Sequence, residues 1–400
     1  MLMFLKLFHD ILWEYILIYL LLIVGFYVTI RLNFVQFRCF RHMFTLLKGS
    51  RTSNAAGISS FQALCTSLAS RVGTGNIAGV AVALYLGGPG AIFWMCLIAL
   101  IGMATTLVEC TLAQLFKVKD EKGNYRGGPA YYIQEGLGQR WLGITFSICL
   151  IFAFGFAFNA VQSHSITHAM GVAFGTKDWV MGLILVVFSG VIIFGGLRKI
   201  GRFSEIVVPF MALGYVGLAL IVIAMNIQAL PGIFSLIIKS AFGWQEAGAG
   251  TLGYMMSQAM IQGIKRGLFS NEAGMGSVPN AAATATPYPV HPASQGFIQM
   301  LGVFIDTIVI CTATATIILL SGQLEAGSGI TGIELTQRAM STHIGNGGKI
   351  FIAIAILFFA FTTIVANYSY AETNFIFLRK GHRGGLLIFR LGVLGMVMYG

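Results

Sequence analysis

Long apolar runs recur along the chain, separated by short polar or basic segments, and their lengths decide what they are able to form. A run of about twenty apolar residues, rising 1.5 Å per residue as a helix, matches the hydrocarbon thickness of a bilayer. Such runs cover roughly residues 11–30, 58–86, 90–116, 142–170, 179–197, 203–226, 252–285, 294–321, 347–378 and 385–400. The pattern predicts ten membrane-spanning helices. It lacks the ten-residue alternation of a lipid-exposed barrel strand, and lipid excludes open sheets, so the expected class is an all-α integral membrane protein.

Two runs are interrupted at their centres. Residues 58–86 are cut by Ser70-Arg71-Val72-Gly73-Thr74-Gly75-Asn76, and residues 252–285 by Ser270-Asn271-Glu272-Ala273-Gly274-Met275-Gly276-Ser277. Each glycine weakens a helix interior by roughly 1 kcal/mol relative to alanine, and unwound backbone in lipid has no water to bond. Such a break is stable only inside protein or beside a watery cavity. There it is useful, because a half-helix starting near Thr74 aims its N–H groups at an anion while carbonyls of the preceding half face a cation. One break alone is explained by a kinked structural helix. Two in corresponding positions point to a transporter's binding site.

Composition agrees: 56% of the 400 residues are hydrophobic and 10% charged, against about a quarter charged in soluble chains. The formal charge of +11 would suit nucleic acid were the basic residues not gathered in short loops. They cluster near residues 31–51, 117–140, 198–202 and 379–390, whereas the opposite loops hold Lys6, Lys177, Lys239, Arg338 and Lys349. This asymmetry predicts an N-terminus outside and no nucleic-acid partner. The first run is too long for a signal-peptide core and reads as a retained span. The six cysteines have no CxxC spacing and read as packed small residues without disulfide or metal.

With that orientation the two interrupted spans run in opposite directions. Each is followed by a plain span, a short amphipathic segment (from Gly127 and from Gly329) and a long span, at an offset near 200 residues. The expected architecture is a five-plus-five inverted repeat in one transporter domain. Residues 1–50 form an extra span and loop, 51–228 the first repeat and 229–400 an incomplete second repeat. The last core helix is expected to lie beyond residue 400.

The stretches SLASRVGTGNIAGVAVALYLGGPGAIFWM and GLFSNEAGMGSVPNAAATA, supported by GGPAYYIQEGLG, FNAVQSHS and FAFTTIVANYSYAETN, closely resemble the alanine or glycine:cation symporter family over about residues 50–380. The resemblance implies a fold like that of the bacterial leucine transporter, alternating access, and Na⁺-coupled uptake of small neutral amino acids across a bacterial or archaeal cytoplasmic membrane.

For the substrate carboxylate, Gly73, Thr74, Gly75 and Asn76 supply backbone and side-chain donors without a mobile cation; local capping is the dull alternative. Gln162 looks like the family's substrate-facing glutamine, or else bonds between helices. Ser270, Asn271, Glu272, Ala273 and Gly274 would close the pocket opposite. Glu272 is read first as the partner of Arg71, Lys265 or Arg266, because an unpaired buried charge is costly; neutralising a substrate ammonium or carrying a proton are the alternatives. Asp306 and Glu109 are read the same way. For Na⁺, the hydroxyls of Thr362 and Thr363 match the pair this fold supplies, with the carbonyls of Ala69 and Val72 completing an oxygen shell; bonds to their own helix are the alternative. Asn367 stands where the resemblance leads one to expect tryptophan, which alters the side-chain pocket and leaves the choice among alanine, glycine, serine and glutamine open.

His164 and His168 share a helix face but have no further ligand types beside them, so they are not read as a metal site. No HExxH, GxSxG or Walker pattern occurs, so neither an enzyme nor an ATP-driven pump is expected. Expected partners are a small neutral amino acid, Na⁺ as coupling ion and membrane lipid, with no organic cofactor and no obligatory protein partner. A proton-coupled carrier or exchanger, and a non-transporting amino-acid receptor, are the competing functions.

Overall fold

The apolar runs form helices, and the two polar interruptions are where helices stop. A computed structural model describes residues 11–52, 57–244, 252–324, 329–380 and 385–400; Lys6 and Arg383, used above for orientation, lie outside the described residues. Among the described residues six helices, against ten expected spans, are long and apolar enough to cross a membrane; the other four runs are the two interrupted ones and two that form helices of 16 and 14 residues. The six are α1 (Ile11–Arg31), α5 (Ala91–Leu115), α7 (Arg140–Phe174), α9 (Gly196–Met225), α13 (Pro292–Ser321) and α15 (Asn346–Leu378).

The first interrupted run becomes α3 (Ser60–Arg71) and α4 (Gly75–Gly87), with residues 72–74 between them. Ser59 and Gln62 start α3 by capping each other's backbone N–H. Val72, at φ −81° and ψ 84°, ends it by leaving the helical region. The second becomes α11 (Leu252–Asn271) and α12 (Val278–Ala283). Glu272, Gly274 and Gly276 all adopt positive φ between them, so the helix cannot continue.

The two discontinuous pairs run antiparallel. Strand β1 (Ile58–Ser59), just before α3, pairs with β4 (Ala285–Thr286), just after α12. At the other end Gly87, closing α4, packs on Gln258 and Gln262 of α11.

After α5 come a hairpin of β2 (Val118–Lys119) and β3 (Tyr125–Arg126), the amphipathic α6 (Pro129–Leu137) and α7. After α13 come the amphipathic α14 (Gly332–Ile344) and α15. A short amphipathic helix and then a long one thus follow the plain span after each discontinuous pair. Two short apolar helices, α8 (Asp178–Ile193) and α16 (Leu386–Tyr399), pack against each other beside α15.

Among the described helices of nine residues or more, two were not expected. In α2 (Phe40–Lys48), Met43 and Leu46 are buried while Arg41 and Phe44 are exposed, the signature of a short amphipathic helix. In α10 (Ile227–Ala241), Pro231 stands in the first turn after a 3₁₀ start, where its missing N–H costs nothing. Both are too short to announce themselves as spans.

Candidate functional site

The two unwound turns meet at the centre of the bundle. A Cβ added at Gly75 would lie 3.3 Å from the Cα of Ser270, so the backbones of the two breaks are in contact. Asp306, on α13, ties them together. Its Oδ1 accepts from Asn76 Nδ2 at 2.7 Å, and its Oδ2 accepts from Ser270 Oγ at 2.9 Å and Thr307 Oγ1 at 2.7 Å. The thiol of Cys311 sits beside the same groups, 3.3 Å from Asn76 Nδ2 and 3.2 Å from Ser270 Oγ.

At the first break the exposed N–H groups are held by side-chain carbonyls. Gly73 N donates to Asn76 Oδ1 at 3.0 Å, and Thr74 N donates to Gln162 Oε1 at 3.1 Å across from α7. Both N–H groups of this turn are thus bonded to side-chain amides. Gly73 has to be glycine here, because a Cβ would come 2.5 Å from Thr363 Oγ1 and 3.1 Å from Gln162 Oε1.

Behind this turn, oxygens gather from two helices. Thr363 Oγ1 donates to Ala69 O at 2.8 Å and lies 2.9 Å from Phe359 O, which Thr362 Oγ1 also reaches at 2.9 Å. Ala69, Thr362 and Thr363 are thus brought to one place, and Val72 ends the same half-helix. The hydroxyls do bond back to their own helix, as the dull alternative required, yet one also bridges to α3. Phe359 contributes a carbonyl that residue type alone had no means of flagging. These are hard oxygen donors, the set suited to an alkali cation.

The second break is arranged differently from expectation. Glu272 makes no ion pair with Arg71. Its carboxylate accepts from Ser70 Oγ at 2.6 Å and from Ser277 Oγ at 2.5 Å. Arg71 instead turns to α13, donating from Nη1 to Gln299 O at 3.1 Å, and its charge acts on Glu109, Glu272 and Asp306 through space. The physical reason is reach: Ser70 and Arg71 are adjacent on α3, their side chains diverge by about 100° around the axis, and the serine faces Glu272. Asn367 joins this network, its Oδ1 lying 2.8 Å from Ser70 Oγ and its Nδ2 donating to Asn159 Oδ1 at 3.2 Å.

Two candidates face away from the first break. Asn271 caps Ala273 N at 3.0 Å and reaches Thr307 Oγ1 at 3.3 Å. Gly274 donates its N–H to Glu109 Oε2 at 3.0 Å and lies against Leu21 and Thr105, so its evident task is to shape the turn. His164 and His168 have ring centroids 6.4 Å apart, and no metal-holding group of three occurs among the described residues.

The whole constellation is enclosed. Ser70, Asn76, Gln162, Ser270, Glu272, Asp306, Thr363 and Asn367 are each no more than 5% exposed. The amphipathic α14 covers one side, with Thr336 Oγ1 donating to Ile77 O of α4 at 3.2 Å. On the other side Gly128, at φ 130°, presses on Asn280 of α12. Asn280 Oδ1 accepts from Asn374 at 2.9 Å, whose own Oδ1 accepts from Ser147 at 3.0 Å.

Comparison with known proteins bears on the family and the fold. The model of the sodium:alanine symporter family matches residues 1–400. The chain is 50% identical to the probable sodium/glutamine symporter GlnT of Bacillus subtilis over 98% of its own length and 80% of the relative's. It is 49% identical to the amino-acid carrier protein AlsT of the same organism, covering 98% and 81%. It is 38% identical to the sodium/alanine symporter AgcS of Methanococcus maripaludis, covering 98% and 86%. Among solved structures, a manganese transporter of Eremococcus coleocola superposes with a TM-score of 0.55 at 13% identity, over 85% of this chain and 69% of that one; that likeness is one of fold.

Proposed function

The chain belongs to the sodium:alanine symporter family, and from that premise we propose that it carries a small neutral amino acid of the alanine and glycine class inward with Na⁺ by alternating access. The observation that carries the reading is the contact between two unwound turns at which backbone N–H groups are held by replaceable side-chain acceptors.

In this reading the substrate carboxylate displaces Asn76 Oδ1 and Gln162 Oε1 from the N–H groups of Gly73 and Thr74. Released, the two amides are free to donate to the carboxylate. Gly75 lets the ligand approach the backbone, and Ser270 and the Glu272–Asn367 network close the opposite wall.

Na⁺ is held by Ala69 O, Phe359 O and the Thr362 and Thr363 hydroxyls, with Val72 O added from the break. The cation's ligands at 69 and 72 and the carboxylate's donors at 73 and 74 belong to one turn. Ordering that turn for either ligand orders it for the other, and by linkage each raises the other's affinity by the same factor. Symport follows from that shared turn. Because the groups are buried, exchange of access requires the discontinuous helices to move against α7 and α15, whose side chains supply the remaining contacts.

Purified protein in proteoliposomes tests this directly. Alanine, glycine, serine and glutamine uptake is measured with an inward Na⁺ gradient and, separately, with a pH gradient alone. Saturable alanine or glycine uptake that vanishes without Na⁺ is expected. Uptake driven equally by protons, or binding without flux, would replace the proposal by a proton-coupled carrier or a receptor; glutamine as the sole substrate would overturn the substrate class.

A further inference from the structure

Away from the substrate region, at the end of the bundle where β2, β3 and the α8–α9 connection come together, lies a cavity of about 400 Å³. Lys122, Arg126, Arg198 and Arg390 line it, with Asn124 and Phe194, and no acidic side chain among the described residues does. Four cations sharing a concave surface repel one another, so such a lining persists only where something holds the charges in place.

Two of them are fixed from behind. Arg126, buried, donates to Asp120 Oδ2 at 3.2 Å, Glu372 Oε1 at 2.7 Å and Thr373 Oγ1 at 3.1 Å. Arg390 donates to Tyr368 Oη at 2.8 Å and Glu372 Oε2 at 3.4 Å, and stacks over the Phe194 ring at 5.4 Å. Asp120 also accepts from the backbone N–H groups of Lys122 and Asn124, at 2.9 and 3.0 Å, which sets the hairpin turn that carries Lys122. These carboxylates stand behind the guanidinium groups and outside the lining, which itself carries Lys122, Arg126, Arg198 and Arg390. Lys122 and Arg198 are the exposed pair at its mouth.

The neighbouring surface is apolar. Val187, Phe188 and Val191 of α8 and Leu387, Ile388 and Leu391 of α16 are exposed on packed helices leading to the rim. A phosphate with acyl chains attached fits both halves: its charge enters the basic cavity while its chains lie along α8 and α16. A free phosphate satisfies only the first half.

We infer that this cavity binds the phosphate headgroup of an anionic phospholipid. The site does not rest on the transport reading, since the hydrogen bonds of Arg126 and Arg390 go to Asp120, Tyr368, Glu372 and Thr373.

Thermal unfolding of the full chain, purified and delipidated in uncharged detergent, provides the test, with phosphatidylglycerol, phosphatidylcholine and inorganic phosphate titrated separately. Phosphatidylglycerol should raise the unfolding temperature saturably, and the other two should not. Lys122→Ala, in an exposed turn, should weaken that response roughly fivefold, and Lys122→Ala with Arg198→Ala roughly thirtyfold, from the worth of each basic residue at an anionic surface. An equal response to phosphatidylcholine, a response reproduced by inorganic phosphate, or an unchanged affinity in both variants overturns the proposal.

Discussion

Gly73 and Thr363 occupy the same space from opposite sides, and the candidate site depends on neither growing nor retreating. Losing a hydrogen bond to a charged group costs about 1.5–3 kcal/mol, and each 1.4 kcal/mol is tenfold in affinity. Thr363→Ala should therefore raise the Na⁺ concentration for half-maximal uptake about tenfold or more; an unchanged Na⁺ dependence would remove Thr363 from the cation site. Gln162→Ala should raise the apparent KM for alanine about tenfold, because the bound carboxylate loses the amide donor that Gln162 supplies once displaced from Thr74 N. Uptake kinetics at saturating Na⁺ distinguish this from a folding defect, which lowers the maximal rate alone. Asp306 shows what residue type cannot convey: its sequence signal is an acid in an apolar run, and only the partners Asn76, Ser270 and Thr307 make it the tie between two breaks. Glu272 carries the same lesson in reverse, since nearby cations suggested an ion pair and two serines took the carboxylate instead.

Among the elements, the second break is the more constrained. Gly276 has φ 75°, and a Cβ there would meet Pro129 at 2.8 Å and the Phe146 ring at 2.9 Å. Left-handed backbone costs a side-chain-bearing residue about 1–2 kcal/mol before any clash. Gly276→Ala should accordingly lower the unfolding temperature in detergent, whereas Gly217→Ala, with open space around it, should not; equal effects would refute the geometric account. The breaks were legible because glycine and polar residues at the centre of an apolar run violate what lipid permits. The β1–β4 pairing was not, since two-residue strands leave no periodic trace and their partners stand 227 positions apart, Ile58 opposite Ala285. Helices α2 and α10 escaped for a related reason: apolar residues on one face of a short helix resemble a loop beside longer runs.

For the molecule as a whole, enclosure of the site means that ligand access and conformational change are one event. Cys311, buried against Asn76 and Ser270, is a native reporter of it. Its alkylation, followed peptide by peptide by mass spectrometry, should slow when Na⁺ and alanine are supplied together, because both favour the closed arrangement; an unaffected rate would separate ligand binding from closure. The amino-acid sequence alone determined the membrane class, the order of the apolar runs and the location of both breaks, since each follows from how far apolar residues run before a polar group intervenes. It also carried the family resemblance. Folding in three dimensions settled which polar groups inside the bundle face one another: Ser70 rather than Arg71 at Glu272, Phe359 O beside Thr363, Asp306 between the turns. Apolar periodicity records whether a side chain is to be kept from lipid, whereas hydrogen bonds between residues hundreds of positions apart depend on helix rotation and depth, which no local pattern encodes.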